Sequence, residues 1–231
     1  MGRLVAIGGG TFEEIDVLCR RICDLSGKEI PNVLFIGTAL QDSTNPLTSC
    51  KKSFKRVCPG CIVKKLSIIR TSYTKEEIDA LIAWADVIFV GGGNTAYMLS
   101  EWKKQGIDSR LKEVYEKDSA VISGISAGAI CWFSLGYTDS AMFEGKADWK
   151  YEWIRPGFDF YDMAFCPHYN DWQRSGFDEA LLHQKMSGVA LEDCAAFIDD
   201  NGEYSFMKSK EDAHAWRFTF WDGEMKKEQV L

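Results

Sequence analysis

The sequence lacks the features that mark membrane proteins, nucleic-acid binders and zinc modules. No run approaches the roughly 20 consecutive apolar residues that a membrane-spanning helix needs. The N-terminus reads as a strand rather than as a secretory leader. Basic charge is in deficit, with 27 Lys and Arg against 34 Asp and Glu and a net charge of -7. The densest basic stretch, Lys51 to Arg56, reads as the wet face of a helix, not as a stripe that tracks phosphates. Histidine is scarce, at 168, 183 and 214 only, and Cys58-Pro59-Gly60-Cys61 has no second pair of matching spacing. A structural zinc is therefore not expected. Repeats, linkers and low-complexity tracts are absent. Together these absences leave a cytoplasmic protein that uses no metal or cofactor and binds neither nucleic acid nor membrane.

What is present is enough for a substantial core. The 231 residues are 46% hydrophobic and 13% aromatic, and they fit one domain spanning 1–231. Eight cysteines are spread along the chain; Cys19 and Cys23 share a helical face, Cys131 and Cys194 sit in apolar surroundings, and all read as free thiols in a reducing compartment.

The rhythm of the first half is strand, helix, strand, helix. Strands are expected at 3–9, 32–39, 62–69, 86–91 and 120–125, and helices at 12–25, 47–57, from the capping box Thr74-Lys75-Glu76-Glu77, at 95–104 and at 109–117. Such alternation builds an α/β fold, with a mainly parallel sheet covered on both faces in a three-layer sandwich. Beyond residue 136 the rhythm loosens, and 136–162 is expected to be a partly structured insertion that walls the active site. A short strand ending near His168, a helix over 177–185, a strand at 195–198 and a terminal hairpin turning at Asp222-Gly223 complete the reading. Trp216, Phe218 and Phe220 on that hairpin suit either core packing or a homodimer contact.

Chemistry concentrates at Val121-Ile122-Ser123-Gly124-Ile125-Ser126-Ala127-Gly128-Ala129. An apolar strand ending in Gly-x-Ser-x-Gly and passing into a helix, here expected over 127–133, is the pattern of a nucleophile elbow. The turn would lift Ser126 above the sheet, beside the free N–H groups of the helix start. Val90-Gly91-Gly92-Gly93-Asn94-Thr95 also joins a strand to a helix; Asn94 or Thr95 would cap it, and Gly92 or Gly93 would offer an oxyanion donor beside that of Ala127. Gly8-Gly9-Gly10 lacks the continuation of a dinucleotide motif and reads as a tight turn lining the cleft.

A serine nucleophile needs a base. His168, in Phe165-Cys166-Pro167-His168, follows a strand, where a parallel sheet presents its functional residues. His183 falls on a helix and His214 near the terminal hairpin. Asp193, Glu192 and Asp139 are the candidate acids, and spacing leaves the choice among them open.

In order and spacing, residues 90–95, 124–129 and the pair Pro167-His168 resemble peptidase family S51, the serine peptidases that include dipeptidase E and cyanophycinase. The resemblance spans nearly the whole chain. It implies a fold like the class I glutamine amidotransferases, Ser126 as nucleophile, His168 as base, and an acid at Glu192 or Asp193, which the family pattern favours over Asp139. It also implies cleavage of dipeptides or short peptides, an N-terminal aspartate among them, whose carboxylate Arg174 or Arg155 would bind. Two rivals stand beside it: a non-peptidase hydrolase on the same scaffold, of esterase, amidase or cysteine type, marked by activity toward simple esters or by an essential Cys131 or Cys166, and a non-enzymatic binding protein.

Overall fold

In a computed structural model, which describes residues 2–145 and 147–231, the alternating first half folds as parallel strand–helix units. These are β1 (Arg3–Ile7), α1 (Asp16–Leu25), β2 (Asn32–Ile36), α2 (Thr44–Val57), β3 (Ile62–Leu66), α3 (Lys75–Trp84), β4 (Val87–Val90), α4 (Thr95–Gln105), α5 (Ile107–Glu116) and β5 (Val121–Ile125). Strands β1, β5, β4, β2 and β3 lie side by side and parallel in that order. β4 and β5 are buried at every position, as strands with helices on both faces must be. At the edge, β3 alternates buried Val63 and Leu66 with exposed Lys64 and Lys65, which discourages pairing with another chain. The Thr74 capping box forms in full at the start of α3. On α2, Ser53 and Phe54 face inward while Lys52, Lys55 and Arg56 face solvent.

The second half departs from expectation. The helix expected over 127–133 stops after one turn, as α6 (Ala127–Ile130), and the chain turns into β6 (Phe133–Thr138). Phe133, Tyr137 and Thr138 favour an extended chain. Gly136 lets that strand lie against the helix, since a Cβ there would stand 2.2 Å from Ile130 Cγ2. The segment from 136 to 162 is partly structured, as expected, but its strands belong to a sheet rather than to an insertion. It contributes β6, β7 (Glu152–Ile154) and the start of β8 (Tyr161–Cys166) to a second sheet.

That sheet runs β13-β12-β9-β8-β6-β7, with β9 (Gly188–Leu191), β12 (Ala215–Trp221) and β13 (Glu224–Gln229). Its strands β6, β8 and β9 are parallel, and the expected terminal hairpin of β12 and β13 adds antiparallel to β9. Helix α7 (Phe177–Gln184) joins β8 to β9. The strand expected at 195–198 extends as β10 (Ala195–Asp200) and returns as β11 (Glu203–Lys208), both antiparallel additions to the first sheet.

The two sheets share a core. Phe133 and Phe165 of the second sheet stack at 4.4 Å, and Phe133 meets Phe197 of the first edge to face. Between them the buried Asp199 carboxylate accepts hydrogen bonds from the Tyr115 and Tyr161 hydroxyls at 2.9 and 2.7 Å and from the Gly202 N–H at 2.6 Å. A polar group buried this deeply needs such partners. All eight cysteines are buried free thiols. Phe218 lies in the core of the second sheet beside Phe177, so packing accounts for its place on the terminal hairpin.

Candidate active site

The loops at the carboxyl ends of β1, β4, β5, β8 and β9 converge on Ser126. At the elbow Ser126 takes φ 55° and ψ −117°, a conformation disfavoured for a residue with a side chain. Its N–H donates to Ile7 O at 3.0 Å, and its own carbonyl accepts from Ala129 and Ile130 N–H, so hydrogen bonds on both sides hold the turn. The flanking glycines allow the approach. A Cβ on Gly124 would stand 2.0 Å from Gly128 O, and one on Gly128 would stand 2.3 Å from Val90 O. Gly-x-Ser-x-Gly is therefore a steric requirement at this crossing of strand and helix.

His168 follows β8, also left-handed, at φ 50°, with its N–H on Gly8 O. Its Nε2 lies 2.9 Å from Ser126 Oγ and its Nδ1 lies 2.6 Å from Asp193 Oδ1. Asp193 sits in the turn between β9 and β10, and its N–H donates to Asn170 Oδ1. The bond from His168 holds the Asp193 carboxyl below the ordinary carboxylate range, outweighing partial burial. Asp193 is thus an anion at neutral pH, and it orients the ring so that Nε2 faces the serine.

The structure separates the three candidate acids. Glu192 turns away and accepts from the His214 backbone N–H and from His214 Nδ1, each at 2.9 Å. One residue further along the turn, the opposite side chain faces the cleft. Asp139 lies after β6, 3.4 Å from Arg174 Nη2. Neither touches His168. Arg174 does not stand open to a ligand: it is 1% exposed, donates to Tyr137 O at 2.9 Å, and lies over the Tyr151 ring. Arg155 is on the exposed surface after β7, and His183 is a surface residue paired loosely with Glu179.

The loop after β4 comes directly over the serine. A Cβ on Gly92 would stand 3.1 Å from Ser126 Cβ and 3.7 Å from its Oγ. Among the described residues, the N–H groups of Gly92, Gly93 and Ala127 have no backbone acceptor. Asn94 caps α4, its Oδ1 accepting from Tyr97 N–H at 3.0 Å, and so holds the loop rather than facing the serine as a donor. The Cys131 and Cys166 thiols are fully buried, and burial pushes both away from the reactive thiolate, Cys166 to about 12. Among the described residues no cluster of His, Cys, Asp and Glu is arranged to hold a metal ion, and no helix is long and apolar enough to cross a membrane.

Two contributions escaped the sequence reading. A Cβ on Gly9 would stand 1.9 Å from Asp193 Oδ1 and 2.3 Å from His168 Nδ1, so a bare backbone here makes room for the pair. The triple glycine after β1 was the available signal. Asn170, which fixes the Asp193 backbone, had none beyond its nearness to His168.

The sequence model of peptidase family S51 matches residues 4–205. The chain belongs to this family. It is 34% identical over 227 residues to the uncharacterized peptidase YgaJ of Bacillus subtilis (strain 168), covering 94% of this chain and 92% of that one. It is 28% identical over 193 residues to the uncharacterized peptidase Lmo0363 of Listeria monocytogenes serovar 1/2a, covering 81% and 86% of the two chains. The crystal structure of a peptidase from an acI-B1 Actinobacterium superposes with a TM-score of 0.67 over all of this chain and 96% of that one, at 16% identity, so the two share a fold at low sequence identity. Within this S51 chain the family match ends before β12 and β13 begin.

Proposed function

We propose that the protein is a serine-type peptidase that hydrolyses dipeptides or short peptides through an acyl-enzyme on Ser126. The observation that carries this reading is the continuous chain from Ser126 Oγ through both nitrogens of His168 to Asp193, with bonds of 2.9 and 2.6 Å. In this mechanism His168 Nε2 takes the hydroxyl proton as Ser126 Oγ attacks the scissile carbonyl, and the Asp193 carboxylate stabilises the imidazolium. The oxyanion forms against the N–H groups of Ala127 and Gly92 or Gly93. His168 then gives its proton to the leaving amine, and a water activated by the same nitrogen releases the acyl group.

Burial of Cys131 and Cys166 weighs against a thiol nucleophile and therefore favours the serine. An N-terminal aspartate is the first residue to test on family grounds. Because Arg174 is internally bonded, recognition of that aspartate would fall to other groups. The test is hydrolysis of a panel of dipeptides and short peptides, Asp-Xaa included, by the wild type and by Ser126→Ala at matched concentration. Cleavage by the wild type with a loss of at least about 10⁴-fold in the variant is expected. Undiminished cleavage by the variant would overturn the reading.

A further inference from the structure

Beside the loop that covers Ser126 lies a cavity of about 920 Å³ whose wall includes Leu40, Pro46, Arg70, Asn94, Tyr97 and Phe143. It adjoins the serine through a short run of contacts. Gly92 packs on Ser126, a Cβ on the next glycine would stand 2.4 Å from Ala39 O, and that carbonyl accepts from Asn94 N–H at 2.9 Å. Leu40 and Phe143 are 40% and 45% exposed at this cavity and, with Pro46, give it an apolar wall. Arg70 is fixed by a bond from its Nε to Gln41 O at 2.9 Å, and among the described residues its two terminal nitrogens carry no hydrogen bond. The nearby Asp42 is turned instead to Ile69 N–H, at 2.7 Å.

We propose that this cavity is the subsite for the C-terminal residue of a short peptide, with an apolar side chain against Leu40, Pro46 and Phe143 and the free terminal carboxylate on Arg70. The proposal rests on the peptidase reading and names its substrate more closely. A guanidinium with two free donors matches a carboxylate, and every unblocked peptide supplies one at its end. This would make the enzyme selective for peptides whose last residue lies close to the scissile bond.

The experiment measures binding to the Ser126→Ala protein, so that affinity is read apart from cleavage. The probes are Xaa-Phe dipeptides with Xaa Asp, Ala, Gly or Leu, each as the free acid and as the C-terminal amide, together with Xaa-Glu amides. The expected result is that at least one free acid binds about tenfold more tightly than its amide, and that Arg70→Gln removes this difference while leaving amide binding unchanged. Equal binding of acid and amide, a difference that survives Arg70→Gln, or no binding of any probe would overturn the subsite. A Glu amide that matches the Phe acid would overturn it too, since the carboxylate read would then be that of the side chain. None of these outcomes touches the serine mechanism, which stands or falls on whether wild-type cleavage disappears with Ser126→Ala.

Discussion

The first half of the chain, through β5 and α6, supplies the proposed nucleophile and the candidate oxyanion donors; the second half, from β6 onward, supplies the proposed base and acid. The two halves are built differently. In the first, each function sits inside a local pattern, because a parallel strand, a glycine turn and a helix N-terminus are contiguous in sequence. In the second, His168 and Asp193 come from different turns 25 residues apart and meet because β8 and β9 are parallel neighbours. Local chemistry defines the nucleophile, whereas topology defines its partners, and each half can be broken separately.

The largest separation is expected between two neighbouring carboxylates. Asp193→Asn should lower kcat by about 10³–10⁴-fold, because the amide no longer holds His168 in the tautomer that accepts from the serine. Glu192→Gln, one residue away, should change kcat by less than about threefold, since Glu192 serves His214. Parallel kinetics on the two variants decide it; equal losses would return the acid to an open question. The pH dependence has a definite sign. The carboxyl of Asp193 is lowered in the fold, so its contribution to stability is full above the ordinary carboxylate range and is lost as pH falls through the lowered value. The stability gap between wild type and Asp193→Asn should therefore narrow on acidification, which urea titrations across the acid range would read.

Gly9→Ala tests the seam between the halves. Its Cβ would occupy the space of the His168–Asp193 bond, so either the pair separates or the loop after β1 shifts. We expect kcat to fall by at least about 100-fold, with a stability loss of about 1–3 kcal/mol from overpacking. Ordinary kcat in a well-folded Gly9→Ala protein would mean that the pair tolerates separation.

Asp139 offers the reverse profile to Asp193. It faces a guanidinium that is 1% exposed, so Asp139→Asn removes the carboxylate nearest to a buried cation. The expected cost is about 1–3 kcal/mol in unfolding free energy, with kcat per folded molecule nearly unchanged. The opposite pattern, a stable but inactive protein, would reinstate Asp139 in the chemistry.

Legibility followed the same divide. β4, β5, the elbow and the Thr74 capping box could be read residue by residue, because their signals are short-range. Of the second sheet, only the strand ending near His168 and the terminal hairpin could. Phe133–Thr138 directly follows a helix start and is too short for its alternation of Phe133, Leu135 and Tyr137 with smaller residues to decide between helix and strand, and only the close packing of Gly136 on Ile130 shows why a strand lies there. Glu192 and Asp193 were inseparable in sequence because a turn points adjacent side chains in different directions according to backbone angles that composition does not reveal. Arg174 looked available because nothing in a sequence announces that a cation is enclosed by Tyr137, Tyr151 and Asp139.

The smallest expected effect lies where the second half reaches beyond the family match. From β13, Lys227 donates to the Tyr169 hydroxyl at 2.6 Å and to Asp178 Oδ2 at 2.8 Å, while Tyr169 itself donates to Asp178 Oδ1. Tyr169 is adjacent to His168, and its N–H is held by Leu191 O, so the terminal hairpin braces the left-handed turn that carries the proposed base. Lys227 is about a third exposed, which limits the pair energetically. Lys227→Met keeps the stem over Trp216 and removes the donors, at a cost of about 0.5–1 kcal/mol in stability. If bracing matters to the chemistry, kcat should fall a few-fold with KM unchanged, whereas a lower melting temperature with unaltered kcat would confine the hairpin to a stabilising role.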